Sequence, residues 1–310
     1  MKSVFVSLFL LINLFELKAQ TDTSYTVYST YNKEIKKFPF IEIVKDKKHN
    51  NVIAKLDVVY NKLVSRDLHL DAYYNKSKKQ QPAVVIIHGG GWKSGNKFQM
   101  KEVAQEIASK GYSCFTIEYR LSPEVKYPAA LFDVKNAIKY IRSNSKLFNV
   151  NPDKIAVLGC SSGGQMAALI GTTNNDLAFE SPSENKENAS VQAIIDIDGI
   201  VAFKHPESEE GTVASLWLGG TYEEKPNVWN QASALNHVSA TTPPILFINS
   251  DKIRFHAGRT DMISKLNDYN IYSEVKNIPN SPHSFWFFNP WFQPMIKYTV
   301  AFLDKIFKNK

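Results

Sequence analysis

Lys154-Ile155-Ala156-Val157-Leu158-Gly159-Cys160-Ser161-Ser162-Gly163-Gly164-Gln165-Met166-Ala167-Ala168-Leu169-Ile170 decides the fold. It opens with a short run of mostly branched apolar residues, the pattern of a strand buried on both faces. It closes with apolar residues at helical spacing. Between them, Gly159-Cys160-Ser161-Ser162-Gly163 is a G-x-S-x-G turn. In a strand-turn-helix context such a turn holds its central serine on a sharp, strained bend. Side chains two residues to either side would collide there, and glycine removes them. The helix that follows points its positive end at whatever the serine attacks. Chance alone produces the five-residue pattern in roughly one chain in ten of this length. Its weight therefore comes from the strand before it and the helix after it. The plain structural alternatives are a glycine-rich turn without chemistry or one that cradles a phosphate. Ser162 is a rival nucleophile, but the pattern centres on Ser161.

Other runs repeat the first half of this stretch. Ala83–Ile87, Tyr112–Ile117, Ala193–Ile197 and Pro244–Ile248 are short and apolar, and Tyr272–Ile278 is a more amphipathic sixth. Helical spacing recurs between them at Phe98–Lys110, Ala129–Lys146, Gly163–Gly171, Thr260–Tyr269 and Trp291–Phe307. Strands alternating with helices predict a mostly parallel, doubly wound α/β sheet. Val52–Tyr60 and Asp67–Tyr74 alternate in and out and predict two antiparallel strands at its N-terminal edge. Residues 20–50 are polar with no strong period and read as an irregular N-terminal extension. Residues 51–310 then form the main domain. Within it, residues 174–190 read as a surface loop, and residues 201–235 as a weakly helical excursion over the sheet edge.

His88-Gly89-Gly90-Gly91-Trp92 follows the buried run Ala83–Ile87. A histidine and three glycines in a row arise by chance in on the order of one chain in several hundred. This is the H-G-G-G signature of a loop that completes an oxyanion hole. Its glycines let the backbone approach a substrate oxygen. The expected donors are the N–H groups of Gly90, Gly91 and Ser162, and one such donor is typically worth about 3–4 kcal/mol of barrier. His88 itself reads as an anchor for the loop. For a general base, His283 is the choice, because it stands after the last strand run and before the final helix. His205 and His237 read as solvated or capping residues. The acid is expected on the loop after Pro244–Ile248, where Asp251 stands in Asn249-Ser250-Asp251-Lys252. Asp261 is the second choice, with charge at a helix N-terminus as its plain reading. Trp92, His256, Trp286 and Trp291 are candidate substrate contacts. Packing of the final helix is the competing role for the aromatic run Phe285–Phe292.

These residues together resemble α/β-hydrolase esterases of the hormone-sensitive-lipase-like and feruloyl or acetylxylan esterase-like branches. The likeness rests on His88-Gly89-Gly90-Gly91-Trp92, Tyr119-Arg120-Leu121-Ser122-Pro123, Tyr127-Pro128-Ala129-Ala130 with Asp133, Gly159-Cys160-Ser161-Ser162-Gly163-Gly164 and the His283 loop. They run in the family's order from about residue 50 to 308. Phe255-His256-Ala257-Gly258-Arg259 and the aromatics after His283 resemble a subgroup of secreted esterases from polysaccharide-degrading bacteria. That likeness implies removal of acetyl or feruloyl esters from plant or algal cell-wall polysaccharides, without metal or organic cofactor. One departure stands out. Relatives usually read His-Gly-x-x-Asp on the acid loop with Val-Pro following, whereas this chain reads Ile248-Asn249-Ser250-Asp251 and then Arg254-Phe255-His256.

Composition narrows the alternatives. The chain has 310 residues, 44% hydrophobic and 22% charged, ample for one large core. The formal net charge of +7 comes without a nucleic-acid-binding motif, and runs such as Lys45-Asp46-Lys47-Lys48 read as solvated loops. Cys114 and Cys160, the two cysteines, form neither a disulfide framework nor a metal-ligand pattern. Lys2, the apolar run Val4–Leu14 and Ala19 predict a signal peptide over residues 1–19, hence a periplasmic or secreted chain with no stable membrane anchor. Without room for a propeller domain, a prolyl-oligopeptidase-type peptidase is disfavoured, and without a long apolar lid so is a lipase. A small-ester hydrolase or formamidase, and a catalytically dead carbohydrate-binding homologue, remain as alternatives. Oligomeric state is not encoded in these patterns.

Overall fold

The computed structural model describes residues 24–76, 79–180 and 185–308. The signal peptide expected over residues 1–19 lies outside them. Among the described residues no helix is long and apolar enough to cross a membrane.

In chain order the elements are α1 (Val27–Glu34), β1 (Glu42–Ile43), β2 (Val52–Lys62), β3 (Asp67–Asn75), β4 (Gln81–Ile87), α2 (Lys101–Ser109), β5 (Ser113–Ile117), α3 (Ala129–Ser143), β6 (Val150–Cys160) and α4 (Ser162–Thr172). They continue with β7 (Ala193–Ile197), α5 (Gly211–Leu218), α6 (Pro226–Ala232), β8 (Ile245–Asn249), α7 (Arg259–Asp268), β9 (Ser273–Asn277), β10 (Phe288–Asn289) and α8 (Phe292–Phe307). Eight strands form one sheet in the order β2-β3-β5-β4-β6-β7-β8-β9. β2 and β3 pair antiparallel, as does β3 with β5, and every other pairing is parallel. This is the α/β-hydrolase arrangement that the sequence pattern predicts. The predicted strands are all present, with ends shifted by a few residues.

The inner strands are buried because helices cover both faces. β5, β7 and β8 have no exposed residue, and β4 is buried from Pro82 onward. One apolar layer lies between the sheet and α3, α4, α5 and α6, with Leu131, Val134, Ile138, Met166, Leu169 and Trp217. The other holds Val103, Ile107, Phe302 and Leu303 from α2 and α8. The Tyr119-Arg120 segment is held by the buried Asp133 of α3, which receives bonds from Arg120 Nε at 2.9 Å and Arg120 Nη2 at 2.8 Å.

Strand order places the site. After β4 the chain turns to β5 on one side, then crosses to β6 on the other, so order reverses between β4 and β6. Ligands of open α/β sheets bind outside the carboxyl ends of strands at such a switch point. The register is level there: Ile87 pairs with Gly159, Cys160 with Ile197, and Ile197 with Ile248. The loops carrying His88, Ser161 and Asp198 therefore leave the sheet at one height.

The N-terminal extension departs from the irregular reading. Thr26 and Ser29 cap α1 reciprocally, each side chain accepting from the other's backbone N–H. β1 pairs antiparallel with β10 in a separate two-stranded sheet. Tyr31 packs on Phe288 and Phe38 lies edge-on to Trp291. A polar segment thus takes its order from docking onto aromatic residues some 250 positions away in sequence.

Candidate active site

Ser161 sits between the end of β6 and the start of α4 with φ 57° and ψ −122°. An L-residue holds that conformation only where its surroundings enforce it. The enforcement is visible at the flanking glycines. A Cβ on Gly159 would come within 1.9 Å of the Gly163 carbonyl oxygen, and one on Gly163 within 2.3 Å of the Ile87 carbonyl oxygen. The bend lifts Ser161 Oγ to 2.8 Å from His283 Nε2. The other ring nitrogen, His283 Nδ1, lies 2.9 Å from Asp198 Oδ2. Serine, histidine and carboxylate thus form a continuous hydrogen-bonded chain.

The carboxylate of that chain is Asp198, which corrects the expectation of Asp251. Asp198 directly follows β7, and Cys160–Ile197 pairing sets it level with Ser161 on the adjacent strand. Its backbone takes φ 51°, with its N–H donating to the Ile248 carbonyl at 3.0 Å. Its second oxygen, Oδ1, accepts the Ser250 N–H at 2.7 Å, and the residue is fully buried. Asp196, two residues earlier, accepts the Gly199 N–H at 2.7 Å, and burial pushes its carboxyl well above the usual carboxylate range. Asp251 is exposed and instead accepts the backbone N–H of Asn280, tying its loop to the segment before His283. Asp261 is also exposed and lies 3.2 Å from His205. The missed signal was an aspartate immediately after a buried strand, in Ile195-Asp196-Ile197-Asp198-Gly199.

A cavity of about 620 Å³ opens over Ser161. Gly90, Gly91 and Ser162 line it beside Ser161 and His283. Ser162 is the first residue of α4, so its N–H has no acceptor within the helix. Gly90 and Gly91 have φ of 123° and 60°, which glycine tolerates and which turn this loop toward the cavity. His88 stands outside the lining. Its ring stacks on Tyr119 at 4.3 Å, Nδ1 lies 2.8 Å from the Gly89 carbonyl, and burial pushes its pKa down to about 4. A neutral, buried imidazole anchors the glycine loop as the sequence suggested.

The four aromatic or imidazole contacts divide differently. Trp92 reaches the cavity wall but is largely buried, stacked on Trp217 at 4.7 Å and donating its indole N–H to Gln165 at 3.0 Å. Trp286 and Trp291 do not line the cavity: both are buried, Trp286 against His283, Phe285 and Phe287, and Trp291 against Phe38 and Phe40 of the N-terminal segment. His256 is set back from the cavity, with Nε2 3.8 Å from Asp198 Oδ1, and burial lowers its pKa. Phe255, its neighbour, does reach the cavity and stacks on His283 with ring centroids 3.4 Å apart. Sequence reading missed Phe255, and also the α1 face that forms one wall through Ser29, Thr30, Lys33 and Glu34.

A serine on a strand-turn-helix bend, joined through His283 to Asp198, and a glycine loop facing the same cavity define an α/β-hydrolase site with a serine nucleophile. The chain belongs to the BD-FAE family, whose model matches residues 70–255. Esterase LipC of Mycobacterium tuberculosis is 31% identical over 191 residues, 59% of this chain and 47% of that protein. The probable carboxylic ester hydrolase LipM of the same organism is 29% identical over 174 residues, 54% of this chain and 40% of that one. The chain spans about half the length of the curated relatives it matches. Among solved structures, a truncated carbohydrate esterase from gut microbiota superposes with TM-score 0.72 at 25% identity, covering 84% of this chain and all of that one. An acetyl ester-xyloside bifunctional hydrolase from Caldicellulosiruptor lactoaceticus gives TM-score 0.66 at 25% identity, covering 77% and 88%.

Proposed function

We propose that the protein is a serine carboxylic-ester hydrolase acting on acetyl or feruloyl esters of plant or algal cell-wall polysaccharides or their oligosaccharides. The hydrogen-bonded chain Ser161–His283–Asp198 at the floor of the cavity carries the reading. His283 takes the Ser161 proton as Oγ attacks the ester carbonyl. Negative charge gathers on the carbonyl oxygen, where the N–H groups of Gly90 or Gly91 and of Ser162 receive it. His283 then hands its proton to the leaving alcohol, and water, activated by the same imidazole, releases the acid from Ser161. Asp198 holds the imidazole in the tautomer that leaves Nε2 free to accept. No step calls for a metal or cofactor.

The carbohydrate part of the reading is supported by the solved neighbours named as a carbohydrate esterase and an acetyl ester-xyloside bifunctional hydrolase. Export to the periplasm or beyond is part of the proposal, supported by the charged and apolar pattern of residues 1–19. The intact serine–histidine contact counts against a purely binding role. Ser161→Ala should abolish hydrolysis of p-nitrophenyl acetate and labelling by a fluorophosphonate probe, with the fold retained by circular dichroism. Mass-spectrometric detection of acetate, ferulate or methanol released from acetylated xylan, feruloylated glycans and pectin then identifies which ester is cleaved. Turnover retained by the alanine variant would refute the assignment.

A further inference from the structure

The N-terminal helix has no part in the chemistry above, yet it walls the cavity. Ser24, Tyr25, Ser29, Thr30, Lys33 and Glu34 all contribute. They lie outside residues 70–255, the part matched by the family model. The wall is firmly attached beside the base. Tyr25 Oη lies 3.3 Å from the Oγ of Ser284, the residue after His283, and the Tyr25 ring packs on Phe287. Gln99 Nε2 donates to the Tyr25 carbonyl at 2.9 Å. β1, which follows α1, pairs with β10 beyond the same loop.

That attachment decides which half of a substrate meets α1. The proton lost to the leaving alcohol comes from His283 Nε2, so the alcohol must lie on the His283 side of Ser161. Val213 of α5 also lines the cavity, near Gly91 of the glycine loop. The α1 wall is polar, and Glu34 is its most unusual member. Its side chain is only 13% exposed although it lines the cavity. Its ion partner among the described residues, Lys33 Nζ, is 3.8 Å away and 77% exposed, beyond hydrogen-bond reach. Among the described residues no hydrogen bond ties up its carboxylate, and a carboxylate at a cavity wall can accept from adjacent hydroxyls of one sugar ring.

We propose that α1 is the subsite for the alcohol half of the substrate, with Glu34 binding glycosyl hydroxyls and so setting specificity. The proposal rests on the carbohydrate-ester reading. Glu34→Gln, which preserves shape, and Glu34→Ala are compared with wild type on an acetylated xylo-oligosaccharide and on p-nitrophenyl acetate, whose leaving group carries no sugar hydroxyl. The ratio of kcat/KM for the sugar ester to that for the nitrophenyl ester should fall about tenfold or more in both variants, chiefly through KM. A ratio that stays within about threefold of wild type in both variants, with the wild type active on the sugar ester, overturns the role of Glu34 alone. A wild type that cleaves p-nitrophenyl acetate but no acetylated oligosaccharide overturns the carbohydrate reading and this subsite with it.

Discussion

Replacing Asp198 by asparagine exchanges one carboxylate oxygen for an NH₂ group and should silence the base. In the native site Oδ1 accepts the Ser250 N–H at 2.7 Å and Oδ2 faces His283 Nδ1 at 2.9 Å. An amide at this position has one orientation that satisfies Ser250, with its oxygen toward the Ser250 N–H. Its NH₂ group then points at His283 Nδ1 and requires that nitrogen to accept. The imidazole proton moves to Nε2, facing Ser161 Oγ, and the ring no longer takes the serine proton. A wrong tautomer of this kind costs about 10⁴-fold in kcat, or about 5 kcal/mol of barrier. In Asp251→Asn the amide oxygen still accepts the Asn280 N–H, so kcat should stay within about threefold of wild type. Steady-state hydrolysis of p-nitrophenyl acetate at neutral pH measures both variants, with circular dichroism as the control for folding. An Asp198→Asn enzyme within about tenfold of wild type, or a large loss in Asp251→Asn, would falsify the tautomer argument.

Two further outcomes concern stability. His88 has a folded pKa of about 4 against an ordinary value near 6.5, because burial disfavours its cation. Below about pH 6.5 the unfolded chain binds a proton that the folded chain refuses, so stability falls with pH until about pH 4. From about pH 7 to about pH 5 this residue should cost about 2 kcal/mol, and the acid loss measured by urea unfolding should shrink by that much in His88→Gln. An undiminished loss there would show that the imidazole is not the titrating group. Lys97 is wholly buried, with Nζ 2.6 Å from the buried Asp71 and 2.8 Å from the exposed Asp57. Lys97→Met strands Asp71 and should cost about 3–5 kcal/mol in the same assay. Asp57→Asn should cost less than about 1 kcal/mol, and comparable losses in the two variants would contradict this division.

Much of this molecule is written locally. The parallel strands announce themselves because burial on both faces demands uninterrupted branched apolar residues, as in Ala83–Ile87 and Ala193–Ile197. Ser161 is legible because its bend needs glycines at fixed offsets. His283 is legible because it sits between the last strand of the large sheet and the last helix. The illegible parts depend on distant partners. α1 carries only the short apolar stripe Val27, Tyr31 and Ile35 in a polar segment, and its order comes from its capping pair and from packing such as Tyr31 on Phe288. Trp291 reads as a candidate substrate contact, with packing as its rival, and the same segment covers it through Phe38 and Phe40. Asp198 is not legible because motif and spacing name the loop after β8, whereas the carboxylate that meets His283 Nδ1 stands directly after β7.

The level strand ends have a consequence for how such a site can change. Ile197 and Ile248 are partners, so Asp198 and Asn249 are the next residues out at one height on neighbouring strands about 4.8 Å apart. An acid side chain needs to reach one point in space, His283 Nδ1; Asp198 reaches it from the end of β7, and the end of β8 touches Asp198 itself through the Ser250 N–H. An acid grafted onto the end of β8 would start from the same height, one strand further across, while the serine and the histidine stay where they are. What the sheet preserves is a position for a negative charge, and the residue number that fills it is free to move.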